Sequence, residues 1–295
     1  MAVSFSEHQG GILWAGDDEL SVYKSSTQTV NRMSVHTDAV LDFSLSRDRT
    51  QLLTAGRDGK LAMLNLEREA SIVEVLTEYK SLGGWVTSSV ILPGTHQHLL
   101  GHEDGSLIVI DILSGISTKN LSTGLNRIEN IVAFSDQSPF VSLDRDGRLQ
   151  WWSFKGEDIV SIGNLQQPST KITGIARDSI TESVIVIDTA NDLFRSTASS
   201  PKLQYVGSLN ALTNGGATIL LALQNDDILV IANESTLTGF DLKRLRTLWT
   251  TPLQESPTAI TYDHSRSQIL VAAGSSIDFY KPETGEIETS RHQNL

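Results

Sequence analysis

Gly56-Arg57-Asp58-Gly59-Lys60-Leu61 stands between two short apolar runs, Leu52-Leu53-Thr54-Ala55 and Leu61-Ala62-Met63-Leu64. An Asp-Gly pair in that setting signals a hairpin, because a two-residue turn there asks for positive φ at both positions. The pattern returns as His102-Glu103-Asp104-Gly105-Ser106-Leu107 and as Asp144-Arg145-Asp146-Gly147-Arg148-Leu149. Weaker copies keep the phase: Gly16-Asp17-Asp18-Glu19-Leu20, Ala190-Asn191-Asp192-Leu193, Asn233-Glu234-Ser235-Thr236-Leu237 and Gly274-Ser275-Ser276-Ile277. The aliphatic residue after the turn falls at 20, 61, 107, 149, 193, 237 and 277, in steps of 41, 46, 42, 44, 44 and 40. Seven copies fill the chain.

The second copy shows the parts of each unit most clearly. Strands are expected at 39–45, 51–55, 61–65 and 71–75, and only 66–76 carries a helical period. Four strands repeating every 40 to 45 residues or so are the pattern of propeller blades. The expectation is an all-β, seven-bladed β-propeller of four-stranded antiparallel blades, a single domain over 1–295. The blades run approximately 1–36, 37–80, 81–124, 125–168, 169–212, 213–254 and 255–295. In this alignment 2–6 opens the first blade and 287–291 closes the last, so blades begin and end with the chain.

Over essentially its whole length the sequence resembles the WD-repeat (WD40) family, as a divergent member. That family ends the third strand of each repeat on Trp-Asp. Here those positions hold Tyr23-Lys24, Leu64-Asn65, Ile110-Asp111, Trp152-Ser153, Phe240-Asp241 and Tyr280-Lys281, with Ser196 in the fifth blade. The Gly-His that opens the family's repeat has its nearest match in His36.

Composition bounds the chemistry. Of 295 residues 39% are hydrophobic, enough to bury a sizeable core. Lys plus Arg number 23 against 35 Asp plus Glu, a net charge of −12, which argues against direct nucleic-acid binding and against an anionic membrane surface. A local basic patch stays open. With no cysteine there is no disulfide framework, thiolate zinc site, iron-sulfur cluster or cysteine nucleophile. The start Met1-Ala2-Val3-Ser4-Phe5-Ser6-Glu7 lacks the basic and apolar regions of a secretory signal, so an intracellular location, cytoplasmic or nuclear, is expected. Apolar runs such as Ile228-Leu229-Val230-Ile231-Ala232 fall far short of the roughly 20 residues of a membrane-spanning helix.

Few constellations suggest catalysis. Asp58, Asp104 and Asp146 suit turns, where a carboxylate accepts nearby backbone N–H groups, and their spacing puts them on different blades. His96, His98 and His102 have metal-like spacing, but the strand separates them to opposite rims and they read as surface histidines. No Gly-x-Ser-x-Gly, phosphate loop or His-Glu-x-x-His is present. Gly83-Gly84 and Gly215-Gly216 relieve crowding where repeats join. Lys243-Arg244-x-Arg246 is loosely similar to phosphoinositide-binding propellers but lacks their Phe-Arg-Arg-Gly, and reads as a solvated outer strand. The Trp-Asp and following Arg of ubiquitin-ligase docking repeats are also absent.

Two readings of function remain. The WD-repeat resemblance implies a non-enzymatic scaffold without cofactor or metal, a subunit of a multiprotein complex. Its partner peptides or domains would bind the face built from the loops before the first strand and between the second and third. Those loops include His36-Thr37-Asp38, Gly84-Trp85, Asn126-Arg127, Arg57, His102-Glu103 and Arg145. Trp85, after two glycines and just ahead of a strand, is the expected aromatic anchor; Arg57, His102 and Glu103 would form its rim, with Arg127 and Arg145 on the next blade. Alternatively Trp85 folds down between blades as core. The competing class is a quinone-cofactor (PQQ-like) propeller enzyme: Lys243-Arg244-Leu245-Arg246-Thr247-Leu248-Trp249 and Pro282-Glu283-Thr284-Gly285-Glu286 look like its Thr-Gly-x-x-x-Trp repeats.

Overall fold

In the computed structural model four of those turns close the same way. Gly59 N–H donates to the Gly56 carbonyl at 3.1 Å, Gly105 to His102 at 3.1 Å, Gly147 to Asp144 at 2.9 Å and Asn191 to Asp188 at 3.0 Å. Positive φ falls on the last residue of the four, at Gly59, Gly105, Gly147 and Asn191, and not on Asp58, Asp104 or Asp146. The turn is therefore not the two-residue turn expected. It is a four-residue turn whose last residue is left-handed, the usual hairpin alternative. Asn191 replaces glycine because its short polar side chain tolerates that conformation best.

The structure describes residues 2–6, 11–16, 19–24, 29–46, 50–66, 74–80, 84–92, 97–111, 114, 116–134, 139–156, 158–178, 181–209, 219–223, 227–274 and 276–292. They form antiparallel four-stranded sheets, each of four strands consecutive in sequence. Numbered one to seven here, the sheets span 2–34, 40–80, 86–122, 128–166, 172–208, 219–252 and 257–292. No helix occurs among the described residues. The strand Ala2–Ser6 begins sheet one and Ile287–His292 ends sheet seven, as the repeat alignment expects. One strand differs. The fourth of sheet two is Glu74–Lys80, later than 71–75, and the helical period at its start belongs partly to that strand.

The chain divides into two compact units, residues 1–2 with 8–166 and residues 3–7 with 167–295. In the first, apolar side chains of sheets two and three interdigitate: Leu53, Ala55, Leu61 and Met63 meet Val86, Leu100, Ile108 and Ile110. Sheets three and four repeat this through Leu99, Leu107 and Val109 against Ile131, Phe140 and Trp152. In the second unit, Ile185, Ile187 and Leu193 of sheet five pack on Leu229, Ile231 and Phe240 of sheet six. Sheets covered on both faces need apolar residues on both faces. That is why Ser106–Asp111 and Ile228–Ala232 are buried almost without alternation and read as nearly continuous apolar runs.

Neighbouring sheets are also clasped by hydrogen bonds where their first strands bulge. Register slips at Val40/Asp42 in sheet two, Gly101/His102 in sheet three and Ile128/Asn130 in sheet four. The first strand is also the edge of its sheet, so backbone groups on its open side lack ladder partners, and side chains take them up. The Asp42 carboxylate accepts both the backbone N–H and the hydroxyl of Ser89. At the equivalent place Ser88 accepts Ile131 N–H at 3.1 Å, and the Thr87 hydroxyl donates to the Ile128 carbonyl at 2.5 Å. Burial pushes the Asp42 carboxyl up to about 6, although bonds from Ser89 and Phe43 pull the other way.

Sheets six and seven are joined by an indole. Trp249 donates Nε1–H to the Pro282 carbonyl at 2.8 Å, and Thr251 donates to the Gly285 carbonyl at 2.7 Å. A Cβ on Gly239 or on Gly285 would lie 2.3 Å from the ring, so both glycines make room for it. The residues that suggested the quinone-enzyme repeat thus have a packing role.

Candidate partner-binding loops

In four successive sheets the residue after the second strand returns its N–H to the carbonyl of the residue just before the first. The pairs are Arg57 to Ala39 (2.8 Å), Glu103 to Trp85 (3.1 Å), Arg145 to Arg127 (2.8 Å) and Thr189 to Lys171 (2.9 Å). Trp85, Arg127, Glu103 and Arg145 therefore occupy repeated positions at one end of their own sheets, where a strand entry and a tight turn are tied together. Backbone bonds fix these positions while leaving the side chains free to vary.

A second, polar tie reinforces each entry and differs from sheet to sheet. In sheet two His36 is buried, with Nε2 at 2.9 Å from Thr54 Oγ1 and Nδ1 at 3.1 Å from Asp58 Oδ1. Gly56 is required here, since a Cβ would come within 2.3 Å of the imidazole. Asp58 also accepts Thr37 N–H at 2.9 Å and Lys60 N–H at 3.0 Å. Burial raises the Asp58 carboxyl, but these donors and His36 outweigh it and hold the group below its ordinary value. In sheet four the residue matching Gly56 is Asp144, which accepts N–H from Asn126 at 3.0 Å, Asp146 at 3.0 Å and Arg148 at 2.9 Å. The Arg148 guanidinium completes it at 2.6 Å. Asp188 serves sheet five, bound by the Thr170 hydroxyl and by Ala190 N–H at 2.9 Å. Sheet three has His102 there, fully buried, with its pKa lowered by burial against the opposing pull of Asp104 and the Gly84 carbonyl.

The six residues singled out from the sequence fall into two groups. Trp85 is 38% exposed, and the Arg57 guanidinium lies over its ring, 5.7 Å from the centroid. Glu103 is exposed beside it and bonded to its backbone. Arg127 and exposed Arg145 form the second group; Arg127 pairs with Glu129 at 3.4 Å, and Asn126 reaches Asp146 at 3.3 Å. His102 lies beneath this surface, not on it. His98, also expected at the surface, is buried too, and burial pushes its pKa down to about 3. Both end up inside because sheet three is covered on both faces. His96 lies outside the described residues. Among the described residues no group of three or more His, Asp or Glu side chains is placed to hold a metal ion.

The turn carboxylates do accept backbone N–H groups as expected: Asp58 from Lys60, and Asp104 from Ser106 at 2.9 Å. Asp146 instead faces Arg148 at 3.2 Å. The sequence reading missed Asp144 and Asp188. Their signal is a carboxylate ending an otherwise apolar second strand, Phe140–Asp144 and Ser183–Asp188.

No protein-family model matches the sequence, and neither does any curated protein. Solved structures do match. The crystal structure of the RRP9 WD40 repeats superposes with a TM-score of 0.75 at 16% identity, over 93% of this chain and 87% of that one. The structure of U3-55K gives 0.75 and 16%, over 93% and 88%. The crystal structure of the computationally designed Ika8 protein gives 0.74 and 16%, over 99% and 87%. Together with the repeated four-stranded antiparallel sheets, these define the fold: a β-propeller, similar to the solved WD40-repeat structures.

Proposed function

We propose that this chain is a non-enzymatic interaction scaffold, an intracellular subunit of a multiprotein complex, whose seven sheets serve as the blades of one propeller. Other proteins bind the strand-entry loops through Trp85, Arg57 and Glu103, with Arg127 and Arg145 extending the surface. The carrying observation is the partly exposed Trp85 with Arg57 stacked on it, both held by backbone bonds that need neither side chain. An exposed aromatic on a rigid loop buries much area on binding and loses little side-chain freedom, and an arginine over its face is a common companion at such anchors. The similarity to the RRP9 WD40 repeats and to U3-55K supports the fold on which the reading rests.

Affinity isolation of tagged wild-type and Trp85→Ala chains from native cells, followed by mass spectrometry, tests the reading. The wild type should bring down a defined set of proteins that Trp85→Ala loses, with folding stability retained. Loss of about 3 kcal/mol or more of folding free energy in Trp85→Ala would make the residue core and remove the site.

A further inference from the structure

A second exposed patch lies on sheets five and six, within the 167–295 unit. Sheet six turns from its third strand, Thr236–Asp241, into its fourth, Arg246–Pro252, through Leu242-Lys243-Arg244-Leu245. Leu245 has φ of +52°, in the left-handed region, and is 47% exposed. In sheet seven the matching turn residue, two before the strand partner of the last aromatic, is Gly285, with φ of +67°. A glycine would satisfy the sheet-six turn without strain. Left-handed non-glycine residues also close other turns, at Glu182, Asp227 and Ser267, so the conformation alone marks nothing; what sets Leu245 apart is a large apolar side chain held 47% exposed.

The leucine has company. Its methyl groups lie 3.9 Å from where a Cβ on Gly207 of sheet five would stand. Two residues along the same strand, Tyr205 is 61% exposed and packs edge-on against Phe194 at 5.8 Å. Leu248 is exposed as well. Around this apolar strip Lys243, Arg244 and Arg246 are exposed, and Arg244 is held at 3.1 Å by Asp241. Three cations within four residues form a basic island on a chain of net charge −12.

We infer that this patch docks an acidic, apolar linear segment of a partner protein: its apolar side chains cover Leu245 and Tyr205, and its carboxylates meet Lys243 and Arg246. Charge complementarity selects the occupant. The strongly negative remainder of the chain repels an anionic membrane or a nucleic acid, and three cations fall short of the four to eight or so that recognise anionic headgroups. A short acidic segment meets only the local field, with apolar burial supplying affinity that phosphate contacts alone do not need.

Fluorescence anisotropy on the full chain tests this, using a labelled peptide of about ten residues that alternates Glu with Leu. Phosphatidylserine-containing vesicles and a single-stranded oligonucleotide are the competing probes. Three results are expected. The peptide binds; Leu245→Gly binds about tenfold more weakly while melting no lower than wild type; and Lys243→Glu/Arg246→Glu weakens binding by at least about tenfold. The melting comparison separates a docking role from a structural one, because glycine relieves the turn. Absence of peptide binding at about 1 mM, unchanged affinity in Leu245→Gly, or binding of vesicles or oligonucleotide in preference to peptide overturns the inference. It does not depend on the Trp85 surface, and Trp85→Ala should bind the peptide normally.

Discussion

Asp42→Asn is expected to stabilise the protein at neutral pH, by an amount that grows with pH. Asp42 faces sheet three from the bulge of sheet two, and its carboxyl is pushed from 3.8 up to about 6, chiefly by burial. A folded-state value above the unfolded one gives stability that is fully present below the unfolded pKa and lost as pH rises through the folded value. Between 3.8 and about 6, at 1.36 kcal/mol per pH unit, the full loss is about 3 kcal/mol. About 2 kcal/mol of it develops between about pH 4.5 and pH 7.5. Asparagine removes the ionisation and can keep the clasp, because both Ser89 donors go to the same oxygen, Oδ2, whose place the amide carbonyl takes. Urea denaturation of wild type and variant across that range should show the variant gaining on the wild type by about 2 kcal/mol toward the upper end. A stability difference that stays flat with pH would refute the reasoning, since the charged carboxylate would then not be penalised by burial.

Further expectations rest on single contacts. Trp249→Ala should cost about 3 to 5 kcal/mol in chemical denaturation, because it empties the space that Gly239 and Gly285 leave and frees the Pro282 carbonyl; a cost under about 1 kcal/mol would show that the indole does not join the sheets. Asp144→Ala strips the acceptor from three backbone N–H groups and the Arg148 guanidinium and should cost about 3 kcal/mol or more, read the same way. Asp58 and Asp104 have lowered pKa values, so their contribution is present above the ordinary carboxylate range and lost as pH falls below it. Asp58→Asn should therefore flatten the acid limb of the stability profile, and an unchanged limb would contradict the His36–Asp58 tie.

What the sequence made legible is the hairpin. Asp-Gly at 58–59, 104–105 and 146–147 marked the phase of the repeat, and most second and third strands followed from it because strands buried on both faces are largely apolar. The fourth strands were less legible. Glu74–Lys80 and Arg246–Pro252 are outermost in their sheets, and the exposure of the latter leaves too little alternation to mark an edge. Turn type was misread because both candidate turns use the same residues; only the backbone shows that Gly59 alone takes positive φ. At the candidate site Trp85, Arg57 and Glu103 were found together because a loop tip leaves polar and aromatic residues readable. His98 and His102 were misplaced since a buried histidine looks like a surface one in a list of residue types. The Asp42–Ser89 clasp joins residues 47 apart through a bulge, which no sequence period records.

The central claim is that partners bind the strand-entry loops around Trp85. Hydrogen–deuterium exchange of the full chain, alone and with its isolated partner, tests that claim most directly. Protection on binding should concentrate at 36–39, 57–59, 84–86, 103–105, 126–127 and 145–147. Protection confined to the opposite ends of these sheets, with 84–86 and 103–105 exchanging as in the free chain, would contradict it.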